Sequence, residues 1–196
     1  YAKVLSQYDI ISQMYLPLDI IVRLFNEDKT RPMIICEYAH SMGNGVGNFS
    51  KYWDLFYHDV RMQGGFIWDW VDQALRSKDK DGREYWNVIN YSDGANTNDG
   101  LVDPYRRPQP EINEVKKVFQ NYKVDNIDIN EGLVKISNLN YFVSSDEVGL
   151  DWFLLENGRI IHKGNITGLS IEPQSHEFVN LGLPRELIKK GNEYHI

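Results

Sequence analysis

Residues 32–36, Pro-Met-Ile-Ile-Cys, are apolar on successive rather than alternate positions, and the run stops on a carboxylate, Glu37. A strand with water on one face alternates with period two. A run without alternation belongs to a strand covered on both faces, as in a parallel sheet lying under helices. Parallel neighbours in turn need long crossover connections, usually helical. The flanking sequence supplies them. DIISQMY (9–15) reads as a strand, and Leu16, Ile20, Ile21, Leu24 and Phe25 then recur at helical spacing. After the 32–36 strand, Phe49, Tyr52, Trp53, Phe56 and Val60 make one face of a second helix, and GGFIWDW (64–70) reads as a third strand. Residues 71–109 are polar and rich in Gly, Pro and Asn, with one short strand expected at 86–91. A last helix over 110–120 opens with Pro and Glu, residues that suit a helix start. The order predicts an α/β domain over 1–120, a parallel sheet or a (β/α) barrel.

From about residue 122 the rhythm changes to short runs broken by Asn-Gly, Glu-Gly and Pro. LLENGRII (154–161) carries a strong hairpin cue at Asn157-Gly158. Residues 121–196 therefore read as an antiparallel β-sandwich of the immunoglobulin type. The closing NEYHI reads as the opening of another strand, so this domain is expected to be truncated. Tyr1 rather than Met at the start suggests a piece of a longer polypeptide.

Composition excludes several function classes. The net charge of the 196 residues is −7, and no Lys/Arg run is long enough to track a phosphate backbone, which argues against nucleic acid. No apolar run approaches the roughly 20 residues of a membrane-spanning helix, so no membrane partner is expected. The first residues lack signal-peptide architecture. Localisation stays undetermined between cytoplasm and periplasm. The single cysteine, Cys36, rules out an internal disulfide and a cysteine-based zinc cluster.

In parallel βα architectures the chemistry sits at the C-terminal ends of the strands. Three such ends carry reactive or aromatic groups: Gln13-Met14-Tyr15, then Glu37 with His40 close behind, then Trp68-Asp69-Trp70. A carboxylate at a strand end can be a nucleophile, a base or a metal ligand, and equally a salt-bridged or helix-capping residue. A tyrosine hydroxyl donating to it would hold it ionised and aimed. His40 can offer a ring N–H to a substrate hydroxyl, or be an ordinary loop histidine. Period two places Trp68 and Trp70 on one side, as a stacking surface or as core. A carboxylate ringed by aromatics best suits a sugar site.

Two stretches, RPMIICEYAHSMGNGVGNFSKYW (31–53) and QGGFIWDWVDQAL (63–75), closely resemble the signature region of β-galactosidases in glycoside hydrolase family 2. DIISQMY upstream and DGLVDPYRRPQPEINEVKKVFQ (99–120) downstream fall in the family's order. The resemblance covers residues 9–120; the following region agrees in position and pattern. It implies units six to eight of a (β/α)8 TIM barrel followed by an immunoglobulin-like sandwich. It also implies hydrolysis of β-galactosides with retention. By motif, Glu37 matches the nucleophile and Tyr15 the tyrosine bonded to it. Met14 matches the pocket wall, His40 a histidine on the galactose hydroxyls, and Trp68 the tryptophan at the sugar's C6 edge. Asp69 and Trp70 match scaffold.

The chain departs from the family in two places. NVINYSDGANTNDGLV (87–102) replaces a longer segment with GGDFGD-like residues, and Asp99 stands where an Asn commonly helps bind sodium. The acid/base glutamate of an Asn-Glu pair is expected upstream of residue 1, since Asn26-Glu27 and Asn113-Glu114 both fall in helices. Magnesium ligands are likewise expected upstream. No cofactor is thus assigned to this chain with certainty; magnesium and sodium belong to the parent enzyme. The polypeptide alone is expected to be inactive and, with open sheet edges, to form a homo-oligomer. The competing readings are a sister activity, β-glucuronidase or β-mannosidase, and a non-catalytic sugar-binding or assembly module. For the latter, Trp152 alternates with Leu150 and Leu154 as a core residue would.

Overall fold

A computed structural model describes residues 8–43, 45–87 and 98–196. Contacts divide the chain into two compact units, Tyr1–Phe119 and Gln120–Ile196. In the first, β1 (Ile11–Met14), β2 (Met33–Tyr38) and β3 (Met62–Ile67) form a parallel sheet in the order β1-β2-β3. Helix α1 (Leu18–Glu27) connects β1 to β2, and α2 (Phe49–His58) connects β2 to β3. The sheet and its helices share one core, in which Ile21, Ile35 and Tyr38 are completely buried. Full burial of an aliphatic side chain of this size stabilises by about 1.5–3 kcal/mol.

β2 does not keep period two to its end. Against β1, Gln13 pairs with Ile35 but Met14 pairs with Glu37; against β3, Gly65 pairs with Ile35 but Ile67 pairs with Tyr38. One extra residue at Cys36 is accommodated as a bulge toward both neighbours. The Cys36 thiol donates to the Gln13 carbonyl at 3.3 Å. Met33 and Ile35 face the helices, and strict alternation would send Glu37 the same way. The bulge instead gives that place to Tyr38, which packs on Phe49, Tyr52 and Phe56 of α2. Glu37 is left on the other face.

Several elements are shorter than their sequence patterns. β1 ends at Met14 because Tyr15 turns into the left-handed region, with φ of 52°. α1 begins after Pro17, and Asp28 beyond its last residue accepts from Thr30 and Arg31, a turn that stops the helix. α2 ends at His58, so Val60 is off the helix and 76% exposed rather than on its apolar face. β3 ends at Ile67, ahead of Trp68 and Trp70. These indoles are 38% and 60% exposed, which corrects a core role for the pair. The polar segment contains a hairpin, β4 (Leu75–Lys78) with β5 (Glu84–Asn87), of which only the second strand was expected. Residues 88–91 of that expectation lie outside the described residues. The last helix, α3, is Ile112–Val118, and the Phe119 ring behind it meets Trp53 at 4.9 Å.

The second unit consists of two three-stranded antiparallel sheets. One has the order β10-β7-β6, from β6 (Tyr122–Asp128), β7 (Leu133–Asn138) and β10 (His176–Asn180). The other has the order β11-β8-β9, from β8 (Leu150–Glu156), β9 (Arg159–Ile166) and β11 (Tyr194–His195). Asn157 and Gly158 turn the β8–β9 hairpin with φ of 46° and 78°, both positive as that turn requires. Val134, Ile136 and Val179 from one sheet and Trp152 and Leu154 from the other share a core. Trp152 is a core residue, as its alternation suggested. Gly164 makes room for it, since a Cβ there would lie 2.2 Å from the indole. Buried Asn138 donates to the carbonyls of Val143 and Ile171 at 2.8 and 2.9 Å, tying two connections to the β7 end. Among the described residues no helix is long and apolar enough to cross a membrane.

Candidate active site

The C-terminal ends of β1, β2 and β3 bring together Tyr15, Glu37, His40 and Trp68, with Met14 opposite Glu37 in the β1–β2 register. The Tyr15 backbone N–H donates to the Glu37 carbonyl at 2.8 Å, which carries the pairing one residue past β1. The Tyr15 hydroxyl lies close enough to the Glu37 carboxylate to respond to it both as a hydrogen-bonding group and as a charge. Burial first, then this hydrogen bond and the nearby charges of Glu37, Asp99 and Asp69, raise the Tyr15 hydroxyl well above the ordinary tyrosine value. It stays protonated, a donor only, through the neutral range and past the pH at which a free tyrosine ionises. Among the described residues Glu37 has no ion-pair partner.

His40 follows Ala39, another left-handed residue with φ of 52°, and its ring meets the Tyr15 ring edge-on at 5.3 Å. Its Nδ1 is buried and lacks a partner among the described residues. Trp68 starts just past β3, its N–H donating to the Tyr38 carbonyl at 3.1 Å, and the Trp68–Asp69 peptide is cis.

Behind these groups lies a structure with no clear sequence signal. Residues 99–102 run beside 69–72: Asp69 N–H donates to the Asp99 carbonyl at 3.2 Å, Leu101 N–H to Asp69 at 3.1 Å, and Val102 N–H to Trp70 at 3.0 Å. Ser41 Oγ approaches the Asp99 and Gly100 carbonyls at 2.9 and 2.8 Å. Asp72 accepts from the Gly100 N–H at 2.9 Å and from Gln109 Nε2 at 3.1 Å. Gly100 sits so close to the neighbouring chain that a Cβ would lie 2.2 Å from the Asp72 nitrogen. Ser41 and Asp72 each act on backbone far away in sequence, which no local pattern reports. The adjacency of Gly to Asp in 99–100 is the one readable hint.

Asp99 is 4% exposed. Burial foremost, then the neighbouring Asp69, raises its pKa from the usual carboxylate value, with His40 pulling the other way. One oxygen each of Asp99 and Asp69 is buried without a partner among the described residues. Asp69, matched to scaffold, accepts from Gln73 at 2.8 Å with its other oxygen.

The sodium expectation at Asp99 can be tested on these donors. A hard cation takes about six oxygens. The described residues offer two unpartnered carboxylate oxygens, while the Asp99 and Gly100 carbonyls are already occupied by N–H and O–H donors. No group of three or more metal-binding side chains forms among the described residues. Among the described residues that set falls short of a sodium shell.

Residues 1–124 match the family model described as "Glycosyl hydrolases family 2, TIM barrel domain". The chain belongs to glycoside hydrolase family 2. Residues 134–196 of this family 2 chain match "Beta-galactosidase, domain 4". A β-galactosidase of Photobacterium profundum is 37% identical over 204 residues, covering all of this chain and 19% of that protein. Beta-galactosidase 2 of Enterobacter cloacae is 37% identical over 163 residues, 80% of this chain and 16% of its own length. The family 2 chain thus spans less than a fifth of these curated relatives. Among solved structures, a Bacteroides uniformis β-glucuronidase aligns over 92% of this chain and 23% of its own, with 14% identity and a TM-score of 0.40. The two matched stretches, 1–124 and 134–196, fall one on each of the two units, Tyr1–Phe119 and Gln120–Ile196, apart from a few residues at the boundary.

Proposed function

We propose that this chain carries the nucleophile half of a retaining β-galactosidase. The observation that carries the reading is Glu37, turned off the helix-facing side by the β2 bulge and held by the Tyr15 hydroxyl. In this mechanism a Glu37 oxygen bonds to the anomeric carbon while the bond to the aglycone oxygen breaks. The leaving oxygen takes its proton from an acid/base glutamate supplied outside these 196 residues. Water, deprotonated by that same glutamate, then cleaves the glycosyl ester and frees Glu37. Tyr15 keeps the attacking carboxylate ionised and aimed. His40 binds sugar hydroxyls, Met14 forms a wall, and Trp68 lines the C6 edge. Magnesium and sodium, as cofactors of the longer enzyme, contribute no step to this account.

A terminal β-D-galactosyl residue is the proposed substrate. The full-length protein that contains this chain, given nitrophenyl β-galactoside, β-glucuronide and β-mannoside, is expected to turn over the galactoside at least about 100-fold faster in kcat/KM than either other sugar, a ratio that several lost polar contacts provide. Preference for the uronide or the mannoside would overturn the galactosidase assignment. Tyr15→Phe should lower kcat about 10- to 100-fold, the loss of one hydrogen bond to a charged group. A loss below about twofold in a pH-rate measurement would remove Tyr15 from the mechanism.

We further propose that the 196-residue chain by itself forms a homo-oligomer. β1 and β3 are outer strands of their sheet among the described residues, and unpaired strand edges invite pairing.

A further inference from the structure

His40 is the ligand for sugar hydroxyls in the proposed site, and β2 has already ended before it. Its Nδ1 makes no hydrogen bond among the described residues, and its ring meets the edge of Tyr15 at 5.3 Å. The aim of the imidazole is therefore set chiefly by its backbone. That backbone does not hold itself: Ala39, with φ of 52°, lies in the left-handed region, which a residue with a Cβ keeps only where its surroundings impose it. They do so from both sides. On one side Tyr38 is completely buried against α2. On the other, Ser41 is buried, its N–H 3.2 Å from the Asp99 carbonyl. Its Oγ lies 2.9 Å from that carbonyl and 2.8 Å from the Gly100 carbonyl, one O–H shared between two acceptors. The anchor itself is rigid. Gly100 N–H donates to Asp72 at 2.9 Å, and the Gly100 carbonyl accepts from Gln109 at 2.9 Å. Gly45 closes the far side of Ser41, since a Cβ at position 45 would lie 2.0 Å from the Ser41 Cα.

We propose that Ser41 is a positioning residue of the sugar site: its hydroxyl, lodged between the Asp99 and Gly100 carbonyls, fixes the turn at Ala39 and so aims His40. The assignment rests on the reading of this region as the galactosyl site. Ser41 touches no sugar itself; it acts through His40. The hydroxyl adds what the backbone cannot supply. A single N–H bond to the Asp99 carbonyl leaves residue 41 free to pivot about it, and the second attachment through Oγ removes that freedom. The sugar contact made by the imidazole is therefore coupled to a backbone segment 58 residues further along the chain.

The test is a double-mutant cycle in the full-length protein, with nitrophenyl β-galactoside as substrate and a non-hydrolysable thiogalactoside as binding probe. Ser41→Ala is expected to raise KM about three- to tenfold, the worth of one neutral hydrogen bond, with less than about twofold change in kcat. The Kd of the thiogalactoside should rise in parallel. On a His40→Ala background the same substitution should change KM less than about twofold, because the group that Ser41 aims is gone. Ser41→Cys, of similar size with only a weak donor, repeats the cycle if the alanine variant is unstable. Equal Ser41 effects with and without His40 overturn the assignment. So does a variant that loses stability toward urea while its KM and Kd stay at the parent values, since that is a structural role alone. Either outcome in an enzyme that Glu37→Gln silences defeats the positioning role and leaves the sugar site standing. Full turnover by Glu37→Gln removes the sugar site and this role with it.

Discussion

Glu37→Gln in the full-length protein is expected to lower kcat by at least about 10⁴-fold, with the fold intact. Losing a covalent nucleophile removes the whole route through the glycosyl ester, and knockouts of that kind cost many orders of magnitude. Glutamine keeps the volume of the side chain and an oxygen that accepts from the Tyr15 hydroxyl, so the β1–β2 end has little reason to rearrange. Its amide oxygen carries no full charge and does not form a stable ester with the sugar. Urea unfolding midpoints of the two proteins should therefore agree closely while rates diverge. A fluorinated galactoside, which slows breakdown of the intermediate, should leave a sugar on the peptide containing Glu37 and on no other. Residual turnover within tenfold of the parent, or a label elsewhere, would take the nucleophile away from position 37.

The 196-residue chain on its own is expected to hydrolyse nitrophenyl galactoside at least about 10²–10⁴-fold more slowly than the full-length protein. That factor covers general acid catalysis alone, and the missing sugar-binding surfaces lower the rate further. A retaining site needs a second carboxyl about 5–5.5 Å from the first, across the scissile bond. The two other acids that bear on Tyr15 are poorly suited: Asp99 is buried, and Asp69 is bonded to Gln73. The measurement is turnover by purified chain at several concentrations, alongside its Glu37→Gln form. Activity comparable to the parent that disappears in Glu37→Gln would show a complete site within these residues.

Much of the barrel segment was legible because its signals are local. The unbroken run at 33–36 marked a doubly covered strand, and the helical spacing of Ile21 and Leu24, and of Phe49 and Phe56, marked the crossovers. What sequence misjudged were ends. Val60 continues the period of α2, yet Asp59 and Arg61 turn the chain there, Asp59 accepting from the Arg61 backbone at 2.9 Å. Trp68 and Trp70 continue the β3 pattern past the point where the strand stops. The β4–β5 hairpin had a cue that went unread, Asp81-Gly82, of the same kind as the one that disclosed the β8–β9 turn.

At the site, Tyr15, Glu37, His40 and Trp68 were named from motif and position, and the geometry gathers them at adjoining strand ends. The support beneath them was not legible. Ser41 holding the Asp99 carbonyl and Asp72 holding Gly100 are pairings across 58 and 28 residues. Periodicity reports the face a residue takes on its own element. It carries no record of the distant backbone that a short polar side chain will meet.

The bulge at Cys36 implies an unusual kind of mutational sensitivity. Its importance lies in counting, not chemistry: were the strand to run on at its present length without that irregularity, Glu37 would turn toward the helices and Tyr38 would take the working side. Swapping the thiol for another small group, or excising that single codon, should leave Glu37 opposite Met14, whereas one further residue inserted there should carry it out of that place.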